Sequence, residues 1–221
     1  MNFLGIVNEV LVRLRDSEVT TVSQNEHSKQ ICAFVNQAKR RVESAMKWSA
    51  LLHSSSFSTS AGISSYSLTD WRERSSVDFI FNETSDCELI STTYKTVQKW
   101  LLTDTQQARP DYWYMSGRDA NGDPTIELYH TPDQAYTIAV HGYRPQDDLT
   151  GDTDLVLVPH WPVLLEAYSI AVSERGEDGG QMSDETKQAA REALAEAISI
   201  ESGNLLQGEG LDWGVDLGPR H

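Results

Sequence analysis

The chain has 221 residues, enough to bury a core as one domain or two small ones, and its composition is that of a folded protein. Eighteen Lys and Arg against 33 Asp and Glu leave a net charge of −15. That excludes phosphate gripping as the main task, because nucleic-acid binders need a basic face to displace counterions. A strongly acidic surface does allow proximity to DNA without adhesion.

Two cysteines, Cys32 and Cys87, are too few for a disulfide framework or a CxxC metal knuckle, and read as reduced apolar residues of a cytosolic setting. No basic n-region opens the sequence and Glu9 interrupts the first apolar pattern, so no signal peptide is expected. The most apolar stretch, Leu155 to Val172, contains Pro159, His160, Pro162 and Glu166 and is too broken to span a membrane.

In chain order, the first block is helical. Leu4, Val7, Leu11 and Leu14 fall at helical spacing. Ser23-Gln24-Asn25-Glu26 has the form of a capping box with Ser23 as the cap. A long helix should follow, with Ile31, Val35, Ala38, Val42, Ala45, Trp48 and Leu52 as its buried stripe. Lys39-Arg40-Arg41 within it reads as a solvated face, with a docking patch as the alternative. Ser54-Ser55-Ser56 serves poorly in a helix interior and marks a junction.

Beyond it the period changes from 3.6 to 2. Strands are expected at 77–81, 112–115, 125–130 and 136–143. Asn121-Gly122 and Thr131-Pro132-Asp133-Gln134 would be their hairpin turns. A turn centred near Asp133 sets Leu128 opposite Ile138 and Ile126 opposite Val140, with Trp113 and Met115 joining that face. The block reads as an antiparallel meander, closed by Gly151-Asp152-Thr153-Asp154.

The third block is helical again. Pro159 and Pro162 suit a first turn. Val163, Leu164, Ala167, Tyr168, Ala171 and Val172 form a stripe, and Gly176 can cap its end. A second helix begins near Ser183, with Ala189, Ala190, Ala193, Leu194, Ala197 and Ile198 for close packing. The fourth block, 202–221, has five glycines and no usable period, yet keeps Leu205, Leu206, Leu211, Trp213, Val215 and Leu217. A tail that retains large apolar side chains has a reason to bind something.

Chemical motifs are weak. Asp119-Ala120-Asn121-Gly122-Asp123 has the look of a calcium loop, but its glycine comes too early and Glu127 is off position, so a hairpin turn is the better reading. There is no GxSxG elbow, Walker loop or HExxH. His130 and His141 should lie on opposite faces, roughly 15–20 Å apart along the sheet, which excludes a shared zinc site. No catalytic residue, cofactor or metal is expected. The rival readings are a phage-encoded hydrolase and a monomeric ligand-binding module.

Three stretches carry a resemblance. The first is Phe34-Val35-Asn36-Gln37-Ala38-Lys39-Arg40-Arg41-Val42-Glu43, then Trp48. The second is Arg109-Pro110-Asp111-Tyr112-Trp113-Tyr114, then 126–132. The third runs from Tyr143-Arg144-Pro145 through Leu149, Asp152-Thr153-Asp154 and Val158-Pro159 to Ala167-Tyr168. Together they resemble the head-to-tail adaptor (connector) family of short-tailed and related bacteriophages, which includes the tail tubular A proteins.

The resemblance implies a twelve-fold ring beneath the portal, with a tail tube or nozzle protein below and DNA passing through without sequence-specific binding. Such a protein is made in the host cytoplasm and resides in the virion. The fold expected is α+β: a helical bundle from 1–53 and 155–201, an inserted antiparallel β-domain at 54–154, and an extended portal-binding tail at 202–221.

Overall fold

The computed structural model describes residues 1–103, 106–176 and 181–208. The chain is mixed α+β and divides into two compact units: residues 1–50 with those from 147 onward, and residues 51–146.

The first unit is helical. Helix α1 (Phe3–Arg13) starts at Asn2, whose carboxamide accepts from the Gly5 amide, and buries Phe3, Ile6, Val7, Val10 and Leu11. Helix α2 (Glu26–Ala45) does not start at Ser23 as expected. Its cap is Asn25, which takes the Ser28 amide at 2.7 Å while Ser28 Oγ accepts from the Asn25 amide at 3.1 Å. Asn25 and Ser28 make the reciprocal pair of a capping box without the usual Ser or Thr cap and Glu or Gln partner. Gln24 is engaged instead by Thr20, whose amide and hydroxyl both donate to its Oε1.

Ile31, Val35, Ala38 and Val42 are buried as the stripe requires. Ala45, the last residue of the helix, is exposed, and Leu52 lies beyond the helix in a strand and is exposed as well. Trp48 folds back into the core, its indole N–H donating to the Val42 carbonyl.

Helices α4 (His160–Arg175) and α5 (Gln181–Gly208) complete the unit, α4 packing against α1, α2 and α5. Pro162 lies in the first turn of α4, and Gly176 closes it in the left-handed region at φ +61°. Residues 202–208, expected in the extended tail, belong to α5.

The second unit is a curled seven-stranded sheet. Its strands are β1 (Leu52–Ser58), β2 (Ser65–Ser67), β3 (Ser76–Asn82), β4 (Cys87–Ser91), β5 (Tyr112–Arg118), β6 (Pro124–Tyr129) and β7 (Thr137–Tyr143), in the order β1-β7-β3-β4-β5-β6-β2.

Two expectations fail here. Strands β6 and β7 are not neighbours: β6 pairs with β5 and β2, and β7 with β1 and β3. Ile126, Leu128, Ile138 and Val140 nevertheless share one core, with Trp113, Trp71, Leu68, Ile80 and Leu89. The period-2 pattern selected the right face, and the curl of the sheet brings the two strands to that core without a ladder between them. Met115, expected there, is exposed at the end of the regular β5 register, just before the irregularity between Met115 and Gly117.

The sheet is also not wholly antiparallel. Strands β4 and β5 run parallel, with helix α3 (Tyr94–Leu101) between them in sequence. Trp100 of α3 packs over Tyr112 and Tyr129 at ring separations of 4.8 and 5.1 Å, covering the outer side of β5 and β6. Finally, Ser54–Ser56 are not a junction but the middle of β1. Ser55 is half-buried and its hydroxyl accepts the indole N–H of the fully buried Trp71 at 2.8 Å, which removes the cost of burying that donor.

Candidate functional site

The residues that carry the family resemblance in α2 form a clamp on the segment that re-enters the helical unit. Asn36 donates to the Leu149 carbonyl at 3.0 Å and accepts its amide at 2.9 Å. Lys39 was expected on a solvated face, yet it is fully buried. Its ammonium donates to Glu43 at 3.1 Å and to the Asp147 carbonyl at 3.0 Å. Burying this charge is tolerable only because it is paired and hydrogen-bonded at once. Arg40 donates to Asp148 and Arg41 to Glu166 of α4, so none of the three cations is spare. The i,i+4 spacing of Lys39 and Glu43 was a readable signal of an ion pair; its burial was not.

The Gly151–Asp154 turn sits on α1. The carbonyls of Asp154 and Asp152 accept the Phe3 and Leu4 amides, and Asp152 Oδ1 accepts the Val22 amide at 2.7 Å. The amides of Gly151 and Thr150 both donate to the Asp154 carboxylate and hold its pKa below the usual value.

At one end of the unit, the close of α1, the second half of α4 and the start of α5 line a half-open pocket of about 260 Å³. Leu14, Tyr168, Val172 and Met182 supply its apolar wall, and Arg13, Arg15 and Arg175 stand around it. Arg175 donates to the Leu14 carbonyl and to Asp16. Burial pushes the Asp16 carboxyl upward, but hydrogen bonds from His27 and Arg175 outweigh it and hold the pKa low. Arg13 pairs with Glu9 and lies 5.2 Å from the ring centre of Trp161, itself 46% exposed. Val12, Leu155 and Leu157 are further exposed apolar side chains of the unit.

At the other end, Glu201 accepts the Ser49 amide at 2.7 Å. Leu205 and Leu206 occupy the last turn of α5. Leu211, Trp213, Val215 and Leu217 lie outside the described residues.

In the second unit, Asp119–Asp123 is a hairpin turn. Asp119 Oδ1 accepts the amides of Asn121 and Asp123, and Gly122 takes φ +85°. A hydrogen bond from Ser67, then those backbone amides, keep the Asp119 pKa low. The Asp123 carboxylate is turned to the amides of Asp70 and Arg72 instead of a cation. His141 stacks on Phe79 at 4.5 Å, and His130 lies 3.6 Å from Asp111. No group of three or more His, Cys, Asp or Glu is placed to hold a metal among the described residues. No helix among them is long and apolar enough to cross a membrane.

No curated protein matches the chain. The family model described as SU10 adaptor protein matches residues 1–209, which include the α2 clamp, the Gly151–Asp154 turn and both units, and the chain therefore belongs to this family of phage adaptor proteins.

Proposed function

We propose that this chain is the head-to-tail adaptor of its virion. Twelve copies close into a ring beneath the portal, the lower face receives a nozzle or tail-tube protein, and DNA passes through the centre. The family match over residues 1–209 carries this reading, and the earlier likeness to the tail tubular A proteins agrees with it. Charge supports the channel: at −15 per copy the ring holds roughly −180, a field that repels a polyanion and lets it slide. Portal contact is assigned to the C-terminal end, with Leu205 and Leu206 on the last turn of α5, then Leu211, Trp213, Val215 and Leu217. Trp213 is the principal anchor, since indoles dominate interface hot spots. Repetition around a ring multiplies a modest affinity per copy. The role is structural and asks for no catalysis and no cofactor.

The test is capture of the portal protein from the same genome by the full chain, by a chain ending at Gly208, and by Trp213→Ala. The full chain should capture the portal and form rings on it in electron micrographs. The shortened chain should keep its helical circular dichroism and melting temperature but lose capture. Equal capture by the shortened chain removes the tail from the interface. Failure of the full chain to engage the portal overturns the adaptor reading.

A further inference from the structure

The pocket between α1, α4 and α5 has features that the adaptor reading does not use. At about 260 Å³ it is smaller than the ~300–1,000 Å³ of ordinary small-molecule sites, and suits one large side chain. Its wall is apolar and its collar is arginine, on a chain whose net charge is −15. Arg13 and Arg175 are paired with Glu9 and Asp16, whereas Arg15 makes no ion pair among the described residues.

Arg15 is also strained. It terminates α1 in the left-handed region at φ +62°, with its amide on the Val12 carbonyl and the next amide on Leu11. Glycine is the usual residue at such a helix end. A long cation held there at a cost in strain is a feature of functional sites.

The sequence contains a matching occupant. Over 209–217, Leu211, Trp213, Val215 and Leu217 alternate with Asp212 and Asp216, after Glu209. An apolar and acidic segment complements an apolar and arginine-lined pocket in both terms.

Reach decides which copy supplies it. Met182, in the pocket, and Gly208, at the end of α5, are separated by about 39 Å of helix at 1.5 Å per residue. Fully extended, the chain from Gly208 carries Trp213 at most about 18 Å and Leu217 about 32 Å. The segment cannot return to its own pocket.

We infer that residues 209–217 of one copy seat in the arginine-lined pocket of another, with Trp213 as the inserted side chain. The pocket and Gly208, from which the segment departs, lie at opposite ends of α5, so the contact is head-to-tail and closes a ring when the rotation allows. The inference rests on the ring reading. Because the portal takes the same anchors, it must displace them from the neighbouring copy as it docks.

The test uses a fluorescent peptide spanning residues 208–218 and the full-length Trp213→Ala chain, whose own segment lacks the anchor. Anisotropy should report binding that weakens about tenfold or more when the peptide carries Trp213→Ala or the chain carries Arg15→Glu. A peptide with Asp212→Lys and Asp216→Lys should regain affinity for the Arg15→Glu chain. Arg15→Gly is the folding control: it relieves the left-handed strain, so the melting temperature should hold or rise while peptide binding falls. Binding that ignores Arg15, or no binding of the unmodified peptide, overturns the inference. Portal capture by the Arg15→Glu chain, run in parallel, separates the two readings: it should persist even where peptide binding is lost.

Discussion

At the residue scale, the centre of the helical unit is Lys39. Its ammonium is satisfied by Glu43 and the Asp147 carbonyl in a site without solvent exposure. Removing one member of such a pair leaves the other charge buried alone, which costs roughly 3–5 kcal/mol. Lys39→Met should therefore lower stability by about that amount in chemical denaturation, although it preserves side-chain volume. The double variant Lys39→Met with Glu43→Leu should recover most of the loss, because it leaves no orphan charge. A double variant as unstable as Lys39→Met alone would show that the ammonium acts chiefly through the Asp147 carbonyl. This residue was misread from sequence for a physical reason. Three consecutive cations look alike in a string, but only Lys39 lies on the α2 face that carries Val35, Ala38 and Val42 inward.

At the element scale, the helices were legible and the sheet only partly so. Helical stripes and their end signals depend on neighbours three or four residues apart, and α1, α4 and the closing Gly176 follow from them. The start of α2 shows the limit, since the Ser23–Glu26 spacing fits the capping signature while the pair that forms, Asn25 with Ser28, does not. The structure gives a clean discrimination. Asn25→Ala should destabilise the protein by about 1 kcal/mol, whereas Ser23→Ala should be within about 0.5 kcal/mol of neutral, both read from urea midpoints. Equal effects would return the cap to Ser23. Strand existence in β3, β5, β6 and β7 was readable from alternation, but strand partners were not. Whether Leu128 lies opposite Ile138 or Trp113 depends on how the sheet curls, and both choices leave the same side chains apolar. Helix α3 escaped notice because its eight residues are too few for a periodic signal, and because Trp100 and Tyr112 meet only after the parallel β4–β5 crossover forms.

At the scale of the whole molecule, acid sensitivity follows from carboxylates in both units. Asp154 and Asp119 are held low by amide and hydroxyl donors, and Asp16 by His27 and Arg175 against the upward push of burial. A carboxyl whose folded pKa lies below its unfolded value adds stability that is complete above the unfolded value and is lost as pH falls through the folded one. With an ordinary value of 3.8 for each, the melting temperature should be level near neutrality and fall as pH drops below about 4. Asp154→Asn should lower the melting temperature at pH 7 and flatten part of that fall. An unchanged slope would mean that the Gly151–Asp154 turn does not respond to the charge of Asp154.

By itself the sequence determined the acid surplus, the α+β class, the helical stripes and the apolar face of the sheet, since each rests on composition or on spacing along the chain. The order of the strands, the burial of Lys39 against Asp147, and the union of Arg13, Arg15 and Arg175 around one pocket were decided only by tertiary structure. The Lys39 and arginine contacts join residues more than 100 positions apart, the β1–β7 ladder joins Leu52 to Tyr143, and no local period encodes which distant segment will arrive.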